Sequence, residues 1–222
     1  MKKLFLVPTP IGNLEDMTFR AVRVLKEVDF ILAEDTRITR TLLNHYGIET
    51  KMISHHKFNE HISVERIIAR IKAGEKFALV SDAGTPGISD PGFLLVSHCI
   101  QAEIEVECLP GASALIPAIA IAGLPNDRFC FEGFLPQKKG RQKRLLSLQN
   151  ETRTIVFYES PHRLLKTLQQ TAEFLGGERK AVVCREISKF HEEIKRGTIN
   201  SLKEWYLKNS PKGEIVLLIE GL

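Results

Sequence analysis

Short apolar runs alternate with amphipathic stretches along the first half of the chain, and this alternation constrains the fold more than any other feature of the sequence. Runs of strand length fall at 4–7, 30–33, 77–80 and 105–109, separated by stretches with helical spacing such as 19–28 and 64–73. Near-continuous apolar runs suit strands buried on both faces, and repeated strand–helix–strand units make neighbouring strands parallel. A parallel α/β sheet is therefore predicted for this half. From 109 to 126 the chain passes through Pro110, Gly111, Pro117, Gly123 and Pro125, its densest region of helix and strand breakers. The domain boundary is placed here, giving domains 1–115 and 116–222. Beyond it, apolar runs recur at 129–131, 154–158, 181–184 and 214–219, with helical patterns at 141–148, 164–175 and 202–207. Residues 192–199 alternate apolar and charged side chains as an antiparallel strand would, so the second sheet is predicted to be mixed. Two such domains leave a cleft between them, the usual place for a ligand.

Composition narrows the class. The 222 residues are 43% hydrophobic and 26% charged, enough to bury a core without disulfides or metal, which excludes disorder. A bilayer span needs about 18 apolar residues. The longest stretch of low polarity, 112–124, is shorter and holds Pro117 and Gly123, so the protein is expected to be soluble. The start MKKLFLVP is too short for a secretory segment and lacks a small-residue cleavage site, which points to the cytoplasm. Cys99, Cys108, Cys130 and Cys184 stand far apart without a CxxC pair and read as reduced core thiols. His55, His56 and His61 cluster but lack metal-ligand spacing, and no metal is expected.

Several strand ends carry more chemistry than a turn requires. VPTPIGNLEDMT (7–18) is a rigid loop where ligands bind in parallel sheets, yet it lacks the glycine fingerprints of dinucleotide and nucleoside triphosphate sites. In AEDTR (33–37), Asp35 or Thr36 can cap the following helix; alternatively Glu34 or Asp35, with Arg37, orients a substrate hydroxyl or phosphate. LVSDAGTPGISDPG (79–92) runs a buried strand into three glycines, two prolines and two aspartates, so backbone groups lie bare. LPGASA (109–114) leads into a small-residue helix. QKKGRQKR (137–144) packs five basic residues into eight without an acid, a solvated helix face or a contact to a phosphate backbone. VFYESPHR (156–163) sets Tyr158, Glu159, His162 and Arg163 at the end of a buried strand, beyond what capping by Ser160 and Pro161 needs.

Together PTPIGNL, AEDTR, SDAGTPGISDPG, PGASA, GFLPQKKGRQKR, YESPHR, REISKFHEE and KGEIVLLIEG occur in order over essentially the whole chain. That set resembles the bacterial 16S ribosomal RNA cytidine 2′-O-methyltransferases of the tetrapyrrole methylase superfamily. The resemblance implies a two-domain class III methyltransferase fold, a homodimer, and S-adenosyl-L-methionine bound between the domains. By the same resemblance the donor contacts Pro8, Pro10, Asp82, Gly84, Thr85, Ser113 and Ala114, with Tyr158, Cys184, Gly213, Glu214 and Ile215 from the second domain. Methyl transfer from a sulfonium is a single displacement, so such an enzyme chiefly aligns its reactants. A ribose hydroxyl needs help losing its proton, and Glu159, Asp35 and His162 are the candidates. Arg37, Lys138, Lys139, Arg141, Arg144, Arg163 and Arg185 are the candidate RNA contacts. A methylase of a tetrapyrrole or another small molecule, and a non-catalytic RNA-binding module, are the competing readings.

Overall fold

The computed structural model describes residues 2–57 and 60–222. The chain divides into two compact units, Met1–Ser113 and Ala114–Leu222. The first is a sheet of five parallel strands, β1 (Lys3–Leu6), β2 (Phe30–Ala33), β3 (Lys51–Ser54), β4 (Phe77–Val80) and β5 (Glu105–Cys108), in the order β3-β2-β4-β1-β5. Helices α1 (Phe19–Glu27), α2 (Thr36–His45), α3 (Glu60–Lys72) and α4 (Phe93–Gln101) cover it.

Strand alternation sorts the core into two layers. Ile31 and Ala78 pack with Val24, Leu25 and Leu43, while their neighbours Leu32 and Leu79 pack with Ile67, Ile71 and Leu95. The Thr18 hydroxyl accepts the Ala21 N–H to start α1, and the Asp35 carboxylate accepts the Arg37 N–H to start α2. Two elements lack a sequence signal. β3 is a four-residue edge strand with Lys51 and Ser54 exposed, so it shows no apolar run. α4, FLLVSHCIQ, is apolar nearly all round and lacks the stripe that marks an amphipathic helix.

The second unit opens with α5 (Leu115–Ala122). Its strands β6 (Phe129–Phe134), β7 (Thr154–Glu159), β8 (Lys180–Arg185), β9 (Glu193–Thr198) and β10 (Ile215–Ile219) lie in the order β6-β7-β10-β8-β9. Only β6 and β7 run parallel; β10 is antiparallel to β7 and β8, and β9 to β8. This sheet is mixed, as the charge alternation at 192–199 implied. On one face Ile155, Phe157, Val183 and Leu217 pack against Leu145 of α6 (Arg141–Ser147), Leu164 and Leu168 of α7 (Leu164–Thr171), and Leu202 and Tyr206 of α8 (Ile199–Lys208). α5 packs against β10 and β8. Arg196 of β9 holds its end, donating from Nε to the Ala122 carbonyl at 3.1 Å, which satisfies a carbonyl the helix leaves unpaired.

One buried imidazole is expected to make the first unit sensitive to acid. His55, just after β3, is fully buried with Nδ1 3.0 Å from the Ser63 hydroxyl. Burial, with a smaller push from His56, lowers its pKa from 6.5 to about 4. The unfolded chain therefore takes up this proton at higher pH than the fold does. The stabilisation is complete above about pH 6.5 and is lost as the pH falls towards 4, on the order of 3 kcal/mol. Urea unfolding at pH 7 and 4.5 should show that loss, and His55→Asn should flatten it; an unchanged pH slope in the variant would place the acid sensitivity elsewhere.

Candidate active site

Three loops leave the carboxyl ends of β4, β1 and β5, which lie side by side in the first sheet. They are laced together. Thr9 and Gly84 exchange backbone hydrogen bonds of 2.9 Å each, and the Thr9 hydroxyl donates to the Ser81 carbonyl at 3.0 Å. The Thr85 hydroxyl donates to the Ala112 carbonyl at 3.1 Å. A Cβ on Gly111 would stand 2.7 Å from Pro8 Cβ, so only glycine lets the third loop close on the first. Pro8, Gly84, Thr85 and the segment leading to Ser113 thus form one cradle. Pro10 and Asp82 line a cavity of about 310 Å³ beside it, with Thr9, Thr39, Leu42 and Ser81. Ala114 opens α5, whose first turn has no side-chain cap.

Two carboxylates stand at this edge. Glu34 follows β2 and Asp82 follows β4, strands paired through Ala33 and Val80. Burial first, then the Asp82 charge, raises the pKa of Glu34; burial likewise raises that of Asp82, against the Asp35 N–H that donates to its Oδ1 at 3.0 Å. Asp35 behaves otherwise. Its carboxylate accepts the Arg37 backbone N–H at 2.8 Å and Nη2 at 2.6 Å, and these bonds hold its pKa down at about 2. Asp35, expected as a proton acceptor, instead caps α2 and pairs with Arg37, and a carboxylate so held takes up a proton poorly near neutrality. Arg37 is its partner. Asp35, not its neighbour Glu34, is the proton acceptor expected from the sequence; their surroundings separate them the other way.

In the second unit the register puts Phe134, Tyr158, Val216, Cys184 and Ile194 in one row across all five strands. Tyr158 and Cys184 therefore flank Val216 on one face, as members of a common wall. Cys184 is fully buried and burial pushes its thiol up to about 11, which suits a wall and not a nucleophile. Cys108, expected in the core, is exposed. Ile215 points to the opposite face and into the core, so only its backbone is available to a ligand. The Glu214 N–H donates to Glu186 Oε1 at 2.8 Å and its carboxylate meets Lys189 Nζ at 3.0 Å; Gly213 adopts φ +85°, a conformation other residues resist.

Glu159 and Arg141 are not where surface roles would put them. Glu159 shares the core face with Ile155 and Phe157, and its side chain is wholly buried. Oε1 accepts the Ser160 N–H at 2.8 Å and Arg163 Nη2 at 2.9 Å; Oε2 accepts the Thr167 hydroxyl at 2.5 Å and lies 3.8 Å from Arg141 Nη2. Arg141 is 4% exposed, donating from Nε to Gln170 and from Nη2 to Thr167 at 2.6 Å each, and from Nη1 to the Pro136 carbonyl at 3.3 Å. Arg163 Nη1 donates to the Leu135 carbonyl at 3.4 Å. Glu159, expected as a candidate proton acceptor, and Arg141, expected as an RNA contact, are both buried instead, and the pair anchors the segment that carries Lys138 and Lys139. Arg144 pairs with Glu132, and Arg185 with Glu193 at 3.0 Å. Lys138 and Lys139 are exposed and make no ion pair among the described residues, and His162 is exposed in the turn before α7.

The Tetrapyrrole (Corrin/Porphyrin) Methylases match residues 3–203. The chain belongs to this family. Among the tetrapyrrole methylases it is 54% identical to "Ribosomal RNA small subunit methyltransferase I" of Synechocystis sp. over 98% of the chain and 78% of that protein. It is 48% identical to the protein of the same name from Thermotoga maritima, over 100% of the chain and 99% of that relative. The Escherichia coli O157:H7 protein of that name is 49% identical over 99% and 78%. Solved tetrapyrrole methylases share the fold: uroporphyrin-III-C-methyltransferase of Thermus thermophilus superposes with a TM-score of 0.69 at 19% identity, covering 99% of this chain and 94% of that one. A structure of a Thermus thermophilus uroporphyrin-III C-methyltransferase complexed with S-adenyl homocysteine superposes with a TM-score of 0.68 at 17% identity, over 97% and 96%. Among the described residues, no helix is long and apolar enough to cross a membrane and no group of three His, Cys, Asp or Glu could hold a metal ion.

Removing Glu159 strands two guanidinium groups. Glu159→Ala should lower the unfolding free energy by about 3–5 kcal/mol, the cost of breaking a buried ion pair from one side. Urea denaturation measures it, and a loss below about 1 kcal/mol would contradict the anchoring role.

Proposed function

We propose that the chain transfers a methyl group from S-adenosyl-L-methionine to the 2′-hydroxyl of a cytidine in the 16S ribosomal RNA of the small subunit. Near-full-length identity of 48–54% to ribosomal RNA small subunit methyltransferases is the observation that carries this reading. The tetrapyrrole enzymes stand much further away, at 19% and 16% identity, so a corrin or porphyrin substrate is disfavoured. A homodimer and a cytoplasmic location accompany the reading.

The bound donor supplies an electrophilic methyl group on a sulfonium sulfur. The first unit's cradle fits a ligand of this kind, because glycine at 111 and the Thr9–Gly84 bridge bring three strand-end loops close together beside a cavity lined by Asp82. Pro8, Pro10, Asp82, Gly84, Thr85, Ser113 and Ala114 are proposed to hold the donor, with Tyr158, Cys184 and the backbone of Gly213, Glu214 and Ile215 as the second unit's share. Their task is alignment, which can supply most of the rate when a near-attack geometry is held. Glu34 is proposed to accept the ribose hydroxyl proton. Burial and the neighbouring Asp82 charge disfavour its anion and so favour proton uptake. Exposed Lys138, Lys139 and His162 remain free to meet the RNA backbone.

Small ribosomal subunits lacking the modification should gain one methyl group on a cytidine ribose when incubated with protein and labelled donor, read by mass spectrometry of nuclease fragments. Label on a base, or no label, would overturn the reading. In the same assay Glu34→Gln should lower kcat about 10²–10⁴-fold, while calorimetry gives an unchanged donor Kd. A kcat within threefold of the parent would return the role of proton acceptor to another group.

A further inference from the structure

The edge of the second sheet carries two phenylalanines, packed on Tyr158, to which the proposed methyl transfer gives no role. β6 pairs with β7 as Phe129↔Thr154 and Phe131↔Val156, then slips by one residue at a bulge, so that Gly133 meets Phe157 and Phe134 meets Tyr158. A regular strand would place Phe131 and Phe134 on opposite faces, because they are three residues apart. The bulge brings both onto the face of Tyr158, and Gly133 makes it possible by adopting φ +59°, which other residues resist. Phe131 meets Tyr158 edge to face with ring centroids 4.9 Å apart, and Phe134 meets it at 5.7 Å. Phe134 is nonetheless 52% exposed, and the Arg163 guanidinium lies 5.9 Å from its ring centre.

A charged strip follows this ring along the chain. Leu135 and Pro136 follow Phe134 directly, and their carbonyls are held by Arg163 and Arg141, both anchored on Glu159. Lys138, Lys139 and Lys143 come next, exposed and without an ion pair among the described residues. A braced, half-exposed aromatic face followed closely in the chain by unneutralised lysines, on the anchored segment and the start of α6, is a combination that can grip unpaired nucleotides: the ring stacks on a base and the ammonium groups meet the phosphates. A duplex keeps its bases stacked inside and has nothing to offer the ring.

We propose that Phe134, braced by Tyr158 and Phe131, is a stacking platform for an unpaired base of single-stranded RNA, with Lys138, Lys139 and Lys143 holding its phosphates. This rests on RNA as the substrate and adds that the segment bound at this edge is unpaired.

Fluorescence anisotropy of the full-length chain, without donor, tests it on two labelled probes: an eight-residue oligocytidylate and an RNA hairpin duplex of equal charge. Phe134→Leu, which keeps the apolar bulk and loses the π-face, should weaken oligocytidylate binding about 5–100-fold. The slope of log K against log salt and the duplex affinity should stay unchanged, and Phe134→Tyr should bind like the parent. Replacing Lys138, Lys139 and Lys143 together by Gln should instead flatten the salt slope by about 2 for the single strand. Equal loss on both probes, or no loss in the Leu variant, would overturn the platform, as would a parent protein that binds neither probe at low salt. If the Phe134 effect is seen but small subunits gain no methyl group, the platform stands and the proposed reaction fails.

Discussion

A buried carboxylate with two arginines organises the second unit. Glu159 ends β7 on the core side, where an isolated charge would be untenable, and is kept there by Arg141, Arg163, Thr167 and its neighbour's N–H. Buried ion pairs add little net stability compared with an apolar core, but they fix geometry, since either partner alone is costly. Here the geometry fixed is that of a loop. Each arginine spends one remaining N–H on a carbonyl of Leu135 or Pro136, so the chain leaves β6 in a set direction into the segment that carries its lysines.

The first unit solves a related problem without charge. Its three loops emerge from adjacent strands and are tied by backbone bridges, two threonine hydroxyls and one glycine contact. Rigidity of this sort is what a displacement reaction asks of its enzyme, because the barrier falls chiefly through alignment. The acid pair at the ends of β2 and β4 stands just beside these loops, half-buried and mutually repelling, in surroundings that favour proton uptake. The two units thus divide the labour proposed for them: backbone positioning and proton uptake in one, a fixed basic and aromatic edge in the other.

Much of this was legible in the sequence, because strand-end loops in α/β folds announce themselves through glycine, proline and acidic residues after apolar runs. The parallel first sheet, the mixed second sheet and the loops of the cradle all follow from such signals. What sequence alone could not settle was direction. Tyr158 and Glu159 are neighbours in one motif, yet alternation sends one to the wall beside Cys184 and the other into the core. Arg141 looks like its basic neighbours but is buried, because its partner lies 18 positions away on β7. Phe134 could equally have been core, and only the one-residue slip in β6 turns it outward. Glu34 and Asp35 differ by which of them faces Arg37, again a matter of surroundings.

The central claim is that the Glu159 anchor positions the basic loop. Amide hydrogen exchange in Glu159→Gln addresses it directly, since the variant keeps the shape of the side chain and removes the charge that holds Arg141 and Arg163. The account predicts faster exchange for residues 135–141 with the amides of β7, β8 and β10 still protected, the behaviour of a locally released segment. Unchanged protection across 135–141 in a folded variant would contradict it.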